Sequence, residues 1–105
     1  MIYTTTQAVA GRETKEVLGI VTGNVVQSKH VGRDIMAGIK QIFGGEIRGY
    51  TEMMIEARNI AIQRMLLEAE EKGADAIVGT RFATSMIMVG SSELLAYGTA
   101  VKLEA

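Results

Sequence analysis

The residues of this chain that could do chemistry fall mostly between His30 and Arg81. The stretch GGEIRGYT, residues 44–51, spaces Gly44 and Gly49 as a phosphate-binding loop does. That loop needs a strand before it and a Lys after its second glycine to meet the phosphates. Here Tyr50 holds the Lys position, Glu46 adds negative charge, and the preceding residues have a helical period. The stretch therefore reads as a glycine joint between two helices. Glu52 and Glu56 stand one helical turn apart, a spacing open to acid–base work and equally to a solvated face neutralised by Arg58 and Arg64. A carboxylate, a phenol and a guanidinium together make a hydrogen-bonded cluster, not a phosphate cradle. Asp34, Glu46, Tyr50, Glu52, Glu56, Arg58 and Arg81 are accordingly the candidate ligand or interface cluster.

Metal chemistry has fewer resources. His30 and Asp34 are four residues apart and could share a helix face, but Gly32 lies between them and there is no second His. Thioethers bind Cu(I), and Met86 with Met88 on one strand face, or the adjacent Met53 and Met54, are the alternative ligands. Methionine at such periods also serves as core filler. Nucleophilic catalysis finds no support, because there is no Cys and nothing ties His30 to Ser28, Ser85, Ser91 or Ser92. No catalytic residue is assigned, and no tightly bound cofactor is expected.

Composition narrows the class. The 105 residues favour one domain, residues 1–105, and the absence of Cys excludes disulfides and thiolate metal sites. Net charge is −1 with scattered basic residues, so no footprint for nucleic acid is present. The start of the chain lacks the pattern of a signal peptide, and no apolar run approaches the roughly 20 residues of a membrane span. A cytoplasmic protein is the expectation. With 12 glycines and no proline, glycine must supply the turns.

The elements that would position these groups follow from periodicity. Residues 2–6 and 17–26 read as strands. In the second, Leu18, Ile20, Thr22 and Val26 fall on one face, and Gly19, Val21, Gly23 and Val25 on the other. A face of Gly and Val suits a closely packed helix. Ile35, Met36, Ile39, Ile42 and Phe43 mark a first helix, with Asp34 at its start. A long helix runs from Tyr50 to Gly73. Its stripe of Met54, Ala57, Ala61, Met65 and Glu68 lies beside another of Ile55, Ile62, Leu66 and Ala69, and Glu68 is spaced to pair with Lys72. This apolar arc is wider than one small sheet requires, which suggests burial against another subunit. Residues 74–90 return to strand character and a final strand over residues 94–104 follows, after a turn made by Gly90 with Ser91, Ser92 and Glu93. In the final strand Leu94, Ala96, Gly98 and Ala100 form a small face on which helix backbone is expected, notably at Gly98. The order implies α+β: a small, mostly antiparallel sheet with helices on one face.

The run GRDIMAGIKQIFGGEIRGYTEMMIEARNIAIQRM, then GADAIVGTRF and the ending AYGTAV, strongly resembles the YbjQ-like family over residues 17–101. The family carries the description "putative heavy-metal-binding". The resemblance implies a dodecin-like subunit and a ring-shaped homopentamer promoted by extra short strands. It points to Asn24, Arg33, Asp34, Glu46, Tyr50, Glu52, Glu56, Arg58, Arg64, Arg81, Glu93 and Tyr97 as the family's polar positions. Where the family often has Asn in the GADAIVG turn, this chain has Asp75, and both suit turns. The metal description sits uneasily with a chain that has no thiol. The expected function is a non-catalytic homo-oligomer that binds a small ligand or partner. The alternatives are a metal-binding protein and an enzyme with a carboxylate and Arg site between subunits.

Overall fold

Among the described residues, runs of β-branched and aliphatic residues become four strands, and the long 3.6-period run becomes a helix. The computed structural model describes residues 1–28, 48–88 and 91–105; the side chains of residues 27, 28, 48–50 and 87 lie outside the description. In chain order the elements are β1 (Ile2–Tyr3), β2 (Thr14–Ser28), α1 (Arg48–Glu71), β3 (Ala76–Met88) and β4 (Ser91–Leu103). They form one sheet of order β1-β3-β4-β2. β4 is antiparallel to both β2 and β3, and β1 runs parallel to β3. The fold is α+β with a mixed, mainly antiparallel sheet. The first expected helix, residues 34–43, lies outside the described residues.

Two expectations about boundaries are corrected. Ser91, Ser92 and Glu93 belong to β4 and not to a turn, because they continue the ladder against Ser28, Gln27 and Val26. The N-terminal strand is two residues long, although Thr4 still donates its N–H to the carbonyl of Ile77.

The face assignment of β2 is corrected at one residue. Val17 pairs with Val101 but Gly19 pairs with Ala100, so β2 carries an extra residue there. Gly19 takes up the irregularity with a φ of 111°, a conformation open to glycine at little cost. The bulge reverses the alternation on its N-terminal side. Leu18 therefore packs into the same cluster as Val21, not on the face of Ile20 and Thr22.

That cluster lies between α1 and the sheet: Val21, Ala61, Met65, Ala69, Ile77, Ala96 and Ala100 are all fully buried. Ala76, Val78, Val101 and Leu103 alternate with it and form a second cluster on the opposite face, covered by Val9. Small residues set the helix–sheet distance. A Cβ on Gly23 would overlap the main-chain oxygen of Ala61 and the main-chain nitrogen of Met65. The expectation of a helix lying on the Gly/Val face of β2 thus holds.

At Gly98 the neighbour is different. A Cβ there would meet Ile77 Cγ2 at 2.7 Å, the Val78 carbonyl at 3.1 Å and Thr80 Oγ1 at 3.2 Å. The crowding comes from β3, and not from helix backbone, because β3 bulges between Val78 and Arg81 opposite Gly98.

The end of α1 follows from Gly73. With φ at 77° it lets the chain reverse, so Ala74 N–H reaches the Ala69 carbonyl at 3.0 Å and Gly73 N–H the Glu70 carbonyl at 2.9 Å. This is the Schellman arrangement, and it lays Ala74 against the core cluster.

Candidate functional site

α1 carries most of the candidate cluster that falls within the description. Glu52, Glu56 and Arg58 are all exposed on its first half, while Ala57 between them is buried. At 100° per residue Arg58 stands well over a quarter-turn from Glu52 and almost opposite Glu56. The helix therefore presents the two carboxylates on one side and the guanidinium on another, and no contact joins Arg58 to either. Arg64, the other expected neutraliser, instead donates from Nη1 to the carbonyl of Asn24 at 2.6 Å. Glu68 likewise does not pair with Lys72. Its Oε2 lies 3.5 Å from the N–H of Thr22.

Arg81 is placed far from those groups. Its Nη1 donates to the carbonyl of Thr5 at 2.9 Å and to that of Thr80 at 2.8 Å. The guanidinium ties the N-terminal segment to β3, a structural task. Asp34, Glu46 and His30, with the side chain of Tyr50, lie outside the described residues, as does the glycine joint at Gly44 and Gly45. The second glycine of the loop-like motif, Gly49, is inside α1, which begins at Arg48.

The methionines divide. Met65 is fully buried core filler, whereas Met86 and Met88 are 77% and 65% exposed on β3. Both are thus accessible, but β3 is irregular between them: Met86 pairs with Ser92 and Met88 with Ser91, so the expectation that the two share one strand face does not hold. Among the described residues, no group of three His, Cys, Asp or Glu side chains is placed to hold a metal ion. No described helix is long and apolar enough to cross a membrane.

One polar set was not part of the candidate cluster. Asn24 Nδ2 donates to Glu93 Oε2 at 2.9 Å, and Arg64 holds the Asn24 carbonyl from above. Helix, edge strand and central strand meet there. Periodicity could not show it, because the three residues lie far apart in sequence; the family positions named all three without joining them. With Glu68, Arg64 also closes the outer edge of β2, using side chains of α1 on the main-chain groups of Thr22 and Asn24.

The sequence itself identifies the lineage. A family model described as "Putative heavy-metal-binding" matches residues 1–104, and the chain belongs to this YbjQ family. It is 73% identical over 103 residues to a UPF0145 protein of Vibrio parahaemolyticus, covering 98% of each chain. It is 64% identical over 104 residues to a UPF0145 protein of Thermotoga maritima, covering 99% of this chain and 98% of that one. A crystal structure from Pediococcus pentosaceus, described as a protein of unknown function of the DUF74 family, superposes with a TM-score of 0.60. At 18% identity over 99% of this chain and 98% of that one, this neighbour supports the fold alone.

Proposed function

We propose that this chain is one subunit of a homo-oligomer, a ring-shaped pentamer, that binds a small ligand or partner between its copies and performs no catalysis. The observation that carries the reading is surface. The chain exposes 6854 Å², whereas a self-contained protein of 11.3 kDa exposes roughly 5,700 Å². The excess, about 1,100 Å², includes large apolar side chains on α1, β2 and β3: Ile55, Leu67, Val17, Ile20, Phe82 and Met86. A subunit that buries part of this area against its neighbours would bring the exposed Glu52, Glu56 and Arg58 near another copy's surface. The number five comes from the family resemblance, and the surface supports only association.

Native mass spectrometry of protein purified from its own host tests this directly. The expected result is a multiple of the 11.3 kDa chain, with any retained small molecule seen as added mass. A monomer at about 10 µM, where an obligate assembly stays together, would sink the reading.

The family description supports a second reading, metal binding through Met86 and Met88 or through His30 with Asp34. Elemental analysis after dialysis separates the two. One soft ion per chain, lost in Met86→Leu/Met88→Leu or in His30→Ala, would favour the metal.

A further inference from the structure

We propose that the shelf between α1 and β3, formed by Ile55, Arg58, Ile62, Phe82, Thr84 and Met86, binds a medium-chain carboxylate, its head group on Arg58 and its chain along the apolar side chains. This rests on the small-ligand reading above and names the chemistry of that ligand.

Register places the shelf. Phe82 pairs with Ala96, Thr84 with Leu94 and Met86 with Ser92. Ala96 lies in the cluster beneath α1, so Phe82, Thr84 and Met86 stand on the sheet face that carries the helix. The helix does not cover them. Its Arg64 and Glu68 serve the outer edge of β2, and it packs chiefly on β2 and β4. Phe82 and Met86 are accordingly 47% and 77% exposed. At 100° per residue, Ile55 and Ile62 stand roughly opposite Arg64, and Arg58 about a third of a turn from it. This flank of α1 therefore overlooks β3, with Ile55 exposed and Ile62 half-buried.

Wall and floor are in step. α1 runs against β2, since Thr22 meets Glu68 and Asn24 meets Arg64. Gly23 lies against Ala61 and Met65 and pairs with Ala96, which puts Phe82 level with Ile62. Met86 is four strand residues further on, about 13 Å, and Ile55 is seven helix residues back, about 10 Å. The two stand near one level, and Arg58 falls between, beside Thr84. The result is an apolar strip with one cation at its middle.

Charge selects the ligand. Among the described residues, Arg58 is the one charge beside the shelf. Phe82 to Met88 carries none, and the helix neighbours on this flank are Ile55, Asn59, Ile62 and Leu66. Glu52 and Glu56 lie on the other side of the helix. A guanidinium fork matches a carboxylate with two parallel hydrogen bonds. A phosphate monoester would bring nearly two charges to a single cation, and an uncharged chain would leave the guanidinium unused. Apolar area removed from water on Phe82, Met86 and Ile55 adds affinity, while the long Arg stem keeps the head group at the solvent rim.

The test titrates octanoate and octanol into the full chain. The Met86 methyl and Phe82 ring signals are read by nuclear magnetic resonance, with native mass spectrometry alongside. Both signals should move while the buried Met65 methyl stays. Octanoate should bind at least ~10-fold more tightly than octanol, although octanol is the more apolar. In Arg58→Gln the octanoate affinity should fall about tenfold and the octanol affinity should not change, which shows an intact shelf. Octanol binding wild type as tightly as octanoate would overturn the site, and so would a variant that keeps its octanoate affinity. If the variant fails to fold, the wild-type comparison decides alone. An intact oligomer that ignores octanoate overturns this site and leaves association standing; a monomer that binds it keeps the site and overturns the oligomer. Signals that move with protein dilution and not with octanoate give the shelf to a second copy. Signals that move only with phosphatidylglycerol vesicles give it to a membrane surface, and either result overturns the carboxylate.

Discussion

Gly23 of β2 lies directly against the main chain of Ala61 in α1. No side-chain carbon can be placed on Gly23 without striking the Ala61 oxygen and the Met65 nitrogen. The obstacle is helix backbone, which cannot rotate away as a side chain can. The approach lets Arg64 reach the Asn24 carbonyl and Glu68 the Thr22 N–H, so a missing methyl group decides whether the β2 edge is closed.

Gly23→Ala should therefore push α1 off the sheet. Overpacking of this kind costs about 1–3 kcal/mol, read as a lower urea midpoint at unchanged slope. An unchanged midpoint would mean that the helix is free to shift.

Gly98→Val should also destabilise, again by about 1–3 kcal/mol, but through β3. The collision is with Ile77, Val78 and Thr80. Gly98→Ala should cost less, because a single methyl group needs less movement of the Ile77 side chain. Thermal denaturation of the two variants should rank them in that order, and equal losses would contradict the stated contacts.

These two glycines show how far the sequence could be read. Alternation in β2 correctly placed a helix on Gly23, since only a close neighbour explains Gly on a buried face. The same logic failed at Gly98, because a bulge in β3 is invisible to a two-residue period. The bulge at Gly19 hid the turn of Leu18 into the core for the same reason. At the site, spacing along α1 suggested that Arg64 and Glu68 serve their helical neighbours. Both instead face β2, which joins them only in three dimensions. Arg81 was legible as a member of the candidate cluster, but not as the clamp on Thr5.

Thr80 is 5% exposed, and its Oγ1 has no hydrogen-bond partner. Burying a hydroxyl unpaired costs about 1–3 kcal/mol, so Thr80→Val should leave stability equal or higher. A melting temperature several degrees lower would show that the hydroxyl is held by a bridging water.

Arg58 is exposed within one chain, beside the buried Ala57. If a neighbouring copy supplies its partner, Arg58→Ala should move the assembly toward smaller species in light scattering. Titration of wild type with ATP and magnesium should give no heat. An intact oligomer in the variant, with nucleotide binding in wild type, would return residues 44–51 to the role of a ligand loop.

β4 lies between β2 and β3, and it is synthesised after both. While the chain leaves the ribosome, Thr22 waits for Tyr97 and Gly23 for Ala96. Among the described elements only α1 is available to shelter β2 in that interval, and it does so through the glycine contact. Pairings this remote in sequence close slowly, so the sheet should form in one late step after translation has passed Leu103. A nascent chain stalled before Ser91 should be digested completely by a protease that leaves the released protein intact. Resistance in the stalled chain would show that helix and edge strand can stand alone.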